Sequence, residues 1–259
     1  MKVLILGASG YLGPHVAKAL APFHQLRMSD VKPLPATDGY QFMREFEFMR
    51  VDASSLEQVM KAAKGMDAII NLSVVREFNA LAFGVNTIGC WNMMRAAVEH
   101  KIRRVINTGP HHTVAGPGYE TLDYGISPDV PSQSGTHLYA LTKSLGQEIC
   151  RVFAENNDIY VQDYLFYNFR DLTGVGPSYF PVRPGSNPVP FVVSGADAGE
   201  AFRLGLGIEL AKLPSRCEVF FIFTDMPHGK FRNDKARRIL GFTPKDDISM
   251  LWRKVIPER

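Results

Sequence analysis

Lys2-Val3-Leu4-Ile5-Leu6-Gly7-Ala8-Ser9-Gly10-Tyr11-Leu12-Gly13 is the stretch on which the fold turns. Val3 to Leu6 is an unbroken apolar run that stops at Gly7, the length and texture of a buried strand, and from Tyr11 to Leu20 apolar side chains recur at three and four spacing, the period of a helix. Gly7, Gly10 and Gly13 fall in and just after the turn between them. Glycines there let the chain turn tightly and bring its backbone close to a pyrophosphate, whose charge is stabilised by the unpaired N–H groups and dipole at the helix start. The spacing is one residue longer than G-x-G-x-x-G, and a glycine triplet by itself also fits an ordinary strand-to-helix turn. The second strand raises its weight. Gln25 to Met28 runs into Ser29-Asp30, about 20 residues on, where a carboxylate accepts hydrogen bonds from both ribose hydroxyls of an adenosine.

Strand, glycine turn, helix, strand and acid in this order point to dinucleotide binding, with Gly7, Ser9, Gly10, Tyr11, Leu12 and Gly13 at the phosphates. Asp30 repels a 2′-phosphate, which favours NAD over NADP, although Lys32 nearby leaves some dual use open. Asp52-Ala53 comes after a third strand, and Leu72-Ser73-Val74 after a fourth that ends at Asn71. In a doubly wound sheet the carboxyl ends of the strands line the ligand crevice, which places these residues against adenine and the ribose-phosphate bridge. Asp52 fits equally well as the N-cap of a helix starting at Ser55.

Short apolar runs alternate with helical patterns over the first two thirds of the chain, the signature of a parallel sheet with crossover helices. The remaining strands are expected at Phe46 to Arg50, Ala68 to Asn71, Arg104 to Asn107, Tyr160 to Phe166 and Glu218 to Phe223. Helices are expected at Ser55 to Ala63, Thr87 to His100, Tyr139 to Asn156, Gly195 to Leu210 and Asn233 to Leu240, the last stopped by Gly241 and Pro244. Between Gly174 and Pro190, glycine and proline crowd the chain too densely for regular elements. The expected architecture is α/β: a doubly wound parallel sheet over residues 1–170, with a small, interleaved substrate-binding lobe over residues 171–259.

Composition narrows the function classes. The chain has 259 residues, 46% of them apolar, with 29 basic and 26 acidic side chains and no block of like charge. That excludes a nucleic-acid or membrane tail. Three isolated cysteines, Cys90, Cys150 and Cys217, suggest reduced thiols in the cytoplasm, without a disulfide framework or metal-ligand spacing. The apolar start is too short for a signal peptide, and nothing reaches the roughly 20 apolar residues of a membrane span.

Tyr139 and Lys143 stand four apart, one helical turn, on one face. A nearby ammonium favours phenolate and brings a phenol toward the range where it exchanges a proton in carbonyl chemistry. With the glycine turn, Asp30, Asp52 and Asn86, this pair resembles the extended short-chain dehydrogenase/reductase family, also called the NAD-dependent epimerase/dehydratase family. Lys235 to Pro244 is similar to that family's closing helix and turn. Within the family, Ser127-Pro128-Asp129-Val130-Pro131, Leu138-Tyr139, Gly146-Gln147-Glu148 and His112-Thr113-Val114 resemble uronate dehydrogenases.

The resemblance implies a Rossmann fold and NAD, with Tyr139 as acid and base and Lys143 on the nicotinamide ribose. It places Asn86 near the active site and Tyr167-Asn168 along the nicotinamide. The family also carries a serine or threonine after the fifth strand to hydrogen-bond the reacting oxygen. Here that position falls on Pro110 or His111, within Thr108-Gly109-Pro110-His111-His112-Thr113. Either Thr113 or Thr108 replaces the hydroxyl, or His111 supplies the hydrogen bond, or the chemistry has been lost. The adjacent histidines point in different directions and lack a third ligand, so no metal is expected.

Ser73, Arg76, His111, His112 and Asn168 are the expected substrate contacts, with Arg170 and Arg183 in the irregular stretch. An arginine can clamp a sugar carboxylate in a bidentate pair. The expected activity is hydride transfer between NAD and a small sugar or sugar acid. The alternatives are a nucleotide-sugar epimerase or dehydratase, and a catalytically weak NAD-binding sensor. A homodimer is expected through Thr87–His100 and Tyr139–Asn156, with Trp91, Met93 and Met94 either at that interface or in the core against the sheet.

Overall fold

The structure is a computed structural model and describes residues 1–114, 125–170, 192–225 and 229–246. In chain order it runs β1 (Lys2–Leu6), α1 (Leu12–Leu20), β2 (Gln25–Asp30), β3 (Glu47–Arg50), α2 (Leu56–Ala63), β4 (Ala68–Asn71) and α3 (Asn79–Ala82). Next come α4 (Gly89–Glu99), β5 (Arg104–Pro110), α5 (Leu138–Asn156), β6 (Tyr160–Phe166), β7 (Asn168–Arg170), β8 (Val192–Ser194), α6 (Gly195–Gly207), β9 (Cys217–Phe221) and α7 (Asp234–Leu240). Seven strands form one parallel sheet in the order β3-β2-β1-β4-β5-β6-β9, and β7 pairs with β8 beside it. The order reverses between β1 and β4, so their carboxyl ends open the crevice in which such sheets bind ligands.

Side-chain alternation assigns the two faces. Val3, Ile5, Ile70 and Ile106 pack with α1 and α6. Leu4, Ile69, Val105 and Val161 pack with α2, α4 and α5. A sheet covered on both sides needs apolar residues at nearly every strand position, which is why β1 and β4 read as unbroken runs. The seventh strand and α6, both from beyond residue 191, complete this sheet and one of its covering layers.

Several boundaries differ from the sequence expectation. β2 and β5 run on to Asp30 and Pro110, because parallel pairing continues to their carboxyl ends. The helix expected from Thr87 instead begins at Asn79 and passes through a π-helical turn, Phe83–Ile88, before α4. A 3-10 helix at Asp38–Glu45, unexpected from the sequence, seats Tyr40 and Met43 in the core. Met93 and Met94 are fully buried against the sheet, which removes them from an intersubunit surface; Trp91 stays 48% exposed, with its ring edge-on to Phe153 at 5.1 Å. No helix among the described residues is long and apolar enough to cross a membrane.

Candidate functional site

The site is a cleft over the carboxyl ends of β1, β4, β5 and β6, formed of two adjoining cavities of about 290 and 530 Å³ that share Gly7, Gly10, Leu72 and Val74. The smaller holds Ser9, Asp30, Lys32, Asp52, Ala53 and Ser73. The larger holds Tyr11, Leu12, Arg76, Thr108, His111, His112, Tyr139, Lys143, Tyr167 and Asn168. Strand register and the packing of α1 and α5 on the sheet bring these stretches together.

At the first end, Gly7 has φ +79°, and a Cβ there would lie 2.6 Å from the Ser73 nitrogen, so only glycine allows β1 to turn this close to β4. A Cβ on Gly10 would meet only the Gly7 carbonyl, at 3.4 Å, leaving an open floor over which a phosphate can approach the backbone. Gly13 does not line the cleft. It lets the start of α1 pack on the turn after β1, where an added Cβ would sit 1.8 Å from the Ala8 oxygen. The Tyr40 hydroxyl donates to the Gly10 carbonyl at 3.0 Å and fixes the turn from outside. Burial, reinforced by the charge of Asp30, raises the Tyr40 pKa and keeps this phenol a donor.

The carboxylate of Asp30 accepts the backbone N–H groups of Ser9 and Lys32, each at 3.0 Å. Both oxygens are thereby oriented while each keeps a second lone pair, the acceptor set that two ribose hydroxyls require. Asp52 holds the Ser54 N–H at 2.9 Å and hydroxyl at 2.7 Å through one oxygen, whereas Ser55 is the N-cap of α2. The glycine floor, the oriented acid and the two adjoining cavities fit a dinucleotide.

At the other end, Lys143 is 1% exposed, and its ammonium donates to the carbonyls of Ser73 at 2.8 Å and Thr108 at 2.9 Å. Burial lowers its pKa, opposed by the neighbouring Cys90 thiol and Asp163 carboxyl. Tyr139, one turn earlier on α5, lies beneath the Arg76 guanidinium, whose carbon is 5.3 Å from the ring centroid. His111 is 2% exposed and stacks on Tyr167 with centroids 3.8 Å apart and 23° between the planes. His112 packs beside it, also with centroids 3.8 Å apart.

The possible replacements for the family hydroxyl separate here. Thr113 is fully buried, lies outside the cleft lining and donates to the Pro110 carbonyl at 3.0 Å. Thr108 reaches the cleft, but its hydroxyl donates to the Asn71 carbonyl at 2.8 Å. Asn86 requires a correction. It is fully buried and outside the lining, accepting from Val75 N at 3.0 Å and donating to Val75 O at 2.7 Å and Thr142 Oγ1 at 3.0 Å. Its amide clamps the loop after β4 to α5 from behind the cleft lining. Arg170 ends β7 with its side chain outside the described residues, and Arg183 lies outside them altogether.

Sequence reasoning missed His137, which caps α5 through Nδ1 and lines the cleft two residues before Tyr139. Its position just ahead of an apolar helical pattern was the available signal. Phe166 and Phe169 add apolar wall.

These features define the chain as a dinucleotide-binding protein of Rossmann type, with Tyr139 and the buried Lys143 lining the larger cavity of the cleft. The sequence profile of the NAD dependent epimerase/dehydratase family matches residues 3–176. The chain belongs to that family, and NAD is its cofactor. It is 28% identical over 163 residues to the uronate dehydrogenase of Pseudomonas syringae pv. tomato, covering 61% of this chain and 56% of that protein. It is 30% identical over 155 residues to the uronate dehydrogenase of Agrobacterium fabrum, covering 59% and 55%. The matched region thus spans a little over half the length of these curated relatives. The crystal structure of uronate dehydrogenase from Agrobacterium tumefaciens superposes with a TM-score of 0.76 at 22% identity, covering 100% of this chain and 90% of that one, a likeness of fold.

Proposed function

We propose that this protein is an NAD-dependent oxidoreductase acting on a small sugar acid of the uronate type, with Tyr139 as acid and base. The observation that carries this reading is the placement of Tyr139 and the buried Lys143 ammonium at the end of the cleft opposite Asp30. Bound NAD supplies the hydride acceptor or donor. The protein's own groups do the rest. Lys143, gripped by two carbonyls, turns its remaining N–H capacity to the cleft, where it holds the nicotinamide ribose and favours the phenolate of Tyr139. Tyr139 takes the proton from the substrate hydroxyl during oxidation and returns it to the carbonyl oxygen in reduction.

Pro110 has no donor and the hydroxyls of Thr108 and Thr113 are engaged on backbone carbonyls. His111 is therefore the residue we assign to hydrogen-bond the reacting oxygen, with His112, His137 and Asn168 bordering the same space. Arg76, above the Tyr139 ring, offers a planar fork to a substrate carboxylate and adds positive charge beside the phenol. The names of the curated relatives support a uronate. A cytoplasmic location suits the three free thiols, and a homodimer through α4 and α5 suits the exposed Trp91.

The test is nicotinamide absorbance when the protein meets NAD and a panel of hexuronates, aldoses and polyols. Turnover confined to sugar acids supports the reading. Turnover of neutral sugars alone, or none on the panel with NAD bound, overturns it and directs attention to nucleotide sugars.

A further inference from the structure

One strand beyond the carbonyls that hold Lys143 lies a carboxyl for which the proposed chemistry has no use. Asp163 of β6 is 1% exposed and borders a separate cavity of about 600 Å³ that shares no lining residue with the cofactor cleft. Strand register sets Asn71, Asn107 and Asp163 side by side on β4, β5 and β6. On this face Cys90 of α4 meets both asparagines at 3.8 Å. The three side chains form one continuous row. Asn107 Nδ2 donates to Asp163 Oδ1 at 2.7 Å, and Asn71 Nδ2 donates to Asn107 Oδ1 at 2.9 Å. Asn71 Oδ1 in turn accepts the Ser73 N–H at 3.1 Å, and its carbonyl accepts the Thr108 hydroxyl at 2.8 Å. Ser73 and Thr108 are the residues whose carbonyls grip the Lys143 ammonium.

We propose that Asp163 is a positioning residue for Lys143: its charge locks the row Asn107–Asn71, and Asn71 holds Ser73 and Thr108 where their carbonyls grip the ammonium, so that the hold on NAD follows the ionisation of a carboxyl outside the cleft. This rests on the assignment of Lys143 to the nicotinamide ribose. An ionised Asp163 makes the bond from Asn107 charge-assisted and strengthens the amide row as far as the Ser73 N–H, which stiffens the segment that presents the gripping carbonyls. The same charge also acts directly across the low-dielectric interior to keep Lys143 protonated.

Among the described residues Asp163 has one strong donor, and its second oxygen receives only the Cys217 thiol at 3.8 Å. Burial with so little compensation pushes its pKa up to about 7, so its charge changes within the neutral range. The titratable groups packed around it are Lys143 and Cys150 of α5, Cys90 of α4 and Cys217 of β9. Arg151, Glu148 and Asp129 border the same cavity, Arg151 paired with Glu148 and Glu155 and Asp129 with Lys235. Lys143 is the cation left to answer Asp163 among these groups.

The experiment is calorimetric titration with NAD, without substrate, from pH 5.5 to 8.5. The natural protein should bind NAD about three- to tenfold more tightly at pH 8 than at pH 6, with an inflection near 7, since one pKa unit of coupling is tenfold. Asp163→Asn, close in shape and uncharged, should give a flat profile. Cys217→Ser, which offers the second oxygen a stronger donor, should move the inflection to lower pH. An inflection retained in Asp163→Asn, or absent from the natural protein, overturns the proposal. So does an unmoved inflection in Cys217→Ser, which serves if Asp163→Asn does not fold. Turnover by Tyr139→Phe judges the proposed reaction separately, because these isotherms contain no substrate.

Discussion

Asp163→Asn removes a charge from the interior with almost no change of shape, and its effect on stability can be worked from the carboxyl's surroundings. An aspartate in an unfolded chain titrates near 3.9, whereas burial raises Asp163 to about 7. Below about pH 4 both folded and unfolded chains carry the proton, and the stability associated with the raised pKa is fully present. Above that, the unfolded chain has released a proton that the folded chain still holds, so stability falls as pH rises, by about 1.4 kcal/mol per unit, until the folded carboxyl ionises near 7. From pH 5 to 8 the natural protein should therefore lose about 2.5 kcal/mol relative to Asp163→Asn. Urea unfolding of both proteins at pH 5, 6, 7 and 8 measures this. With a slope of about 2.5 kcal/mol/M, the difference between their midpoints should change by about 1 M over the range. The comparison cancels titrations that the two share. A midpoint difference that stays constant with pH would show that Asp163 is not the buried acid described here.

Tyr139→Phe should lower turnover of a sugar acid by about 10² to 10⁴-fold while leaving NAD affinity within a few-fold, read by steady-state rates and calorimetry. Lys143→Met strands the Ser73 and Thr108 carbonyls in the interior, so it should cost about 1–3 kcal/mol for each acceptor left unpaired and weaken NAD binding; an unchanged urea midpoint would refute that geometry. Gly13→Ala drives a methyl into the Ala8 carbonyl and should destabilise by about 1–3 kcal/mol, seen as a lower melting temperature; an unchanged melt would mean that α1 does not lie this close to the turn after β1. Asp30→Ala removes both the ribose acceptor and the charge that opposes a 2′-phosphate, and should shift the NAD-to-NADP affinity ratio at least about tenfold toward NADP.

What the sequence settled alone was whatever depends on neighbours along the chain. The strand, glycine turn and helix of residues 2–20 and the acid at Asp30 were legible because apolar period and turn chemistry act over a few residues. Tyr139 and Lys143 were legible because four residues is one helical turn. Tertiary structure decided what strand register and packing bring from afar. It turned Thr113 inward, made Asn86 a clamp, set Met93 and Met94 in the core and sent the Tyr40 hydroxyl to Gly10. The row Asn71–Asn107–Asp163 was the least legible feature, because its members are 36 and 56 residues apart and meet only where three parallel strands fall into register. In each strand such a polar residue reads as a flaw in an apolar run; only the paired sheet supplies the partners that make burying it tolerable.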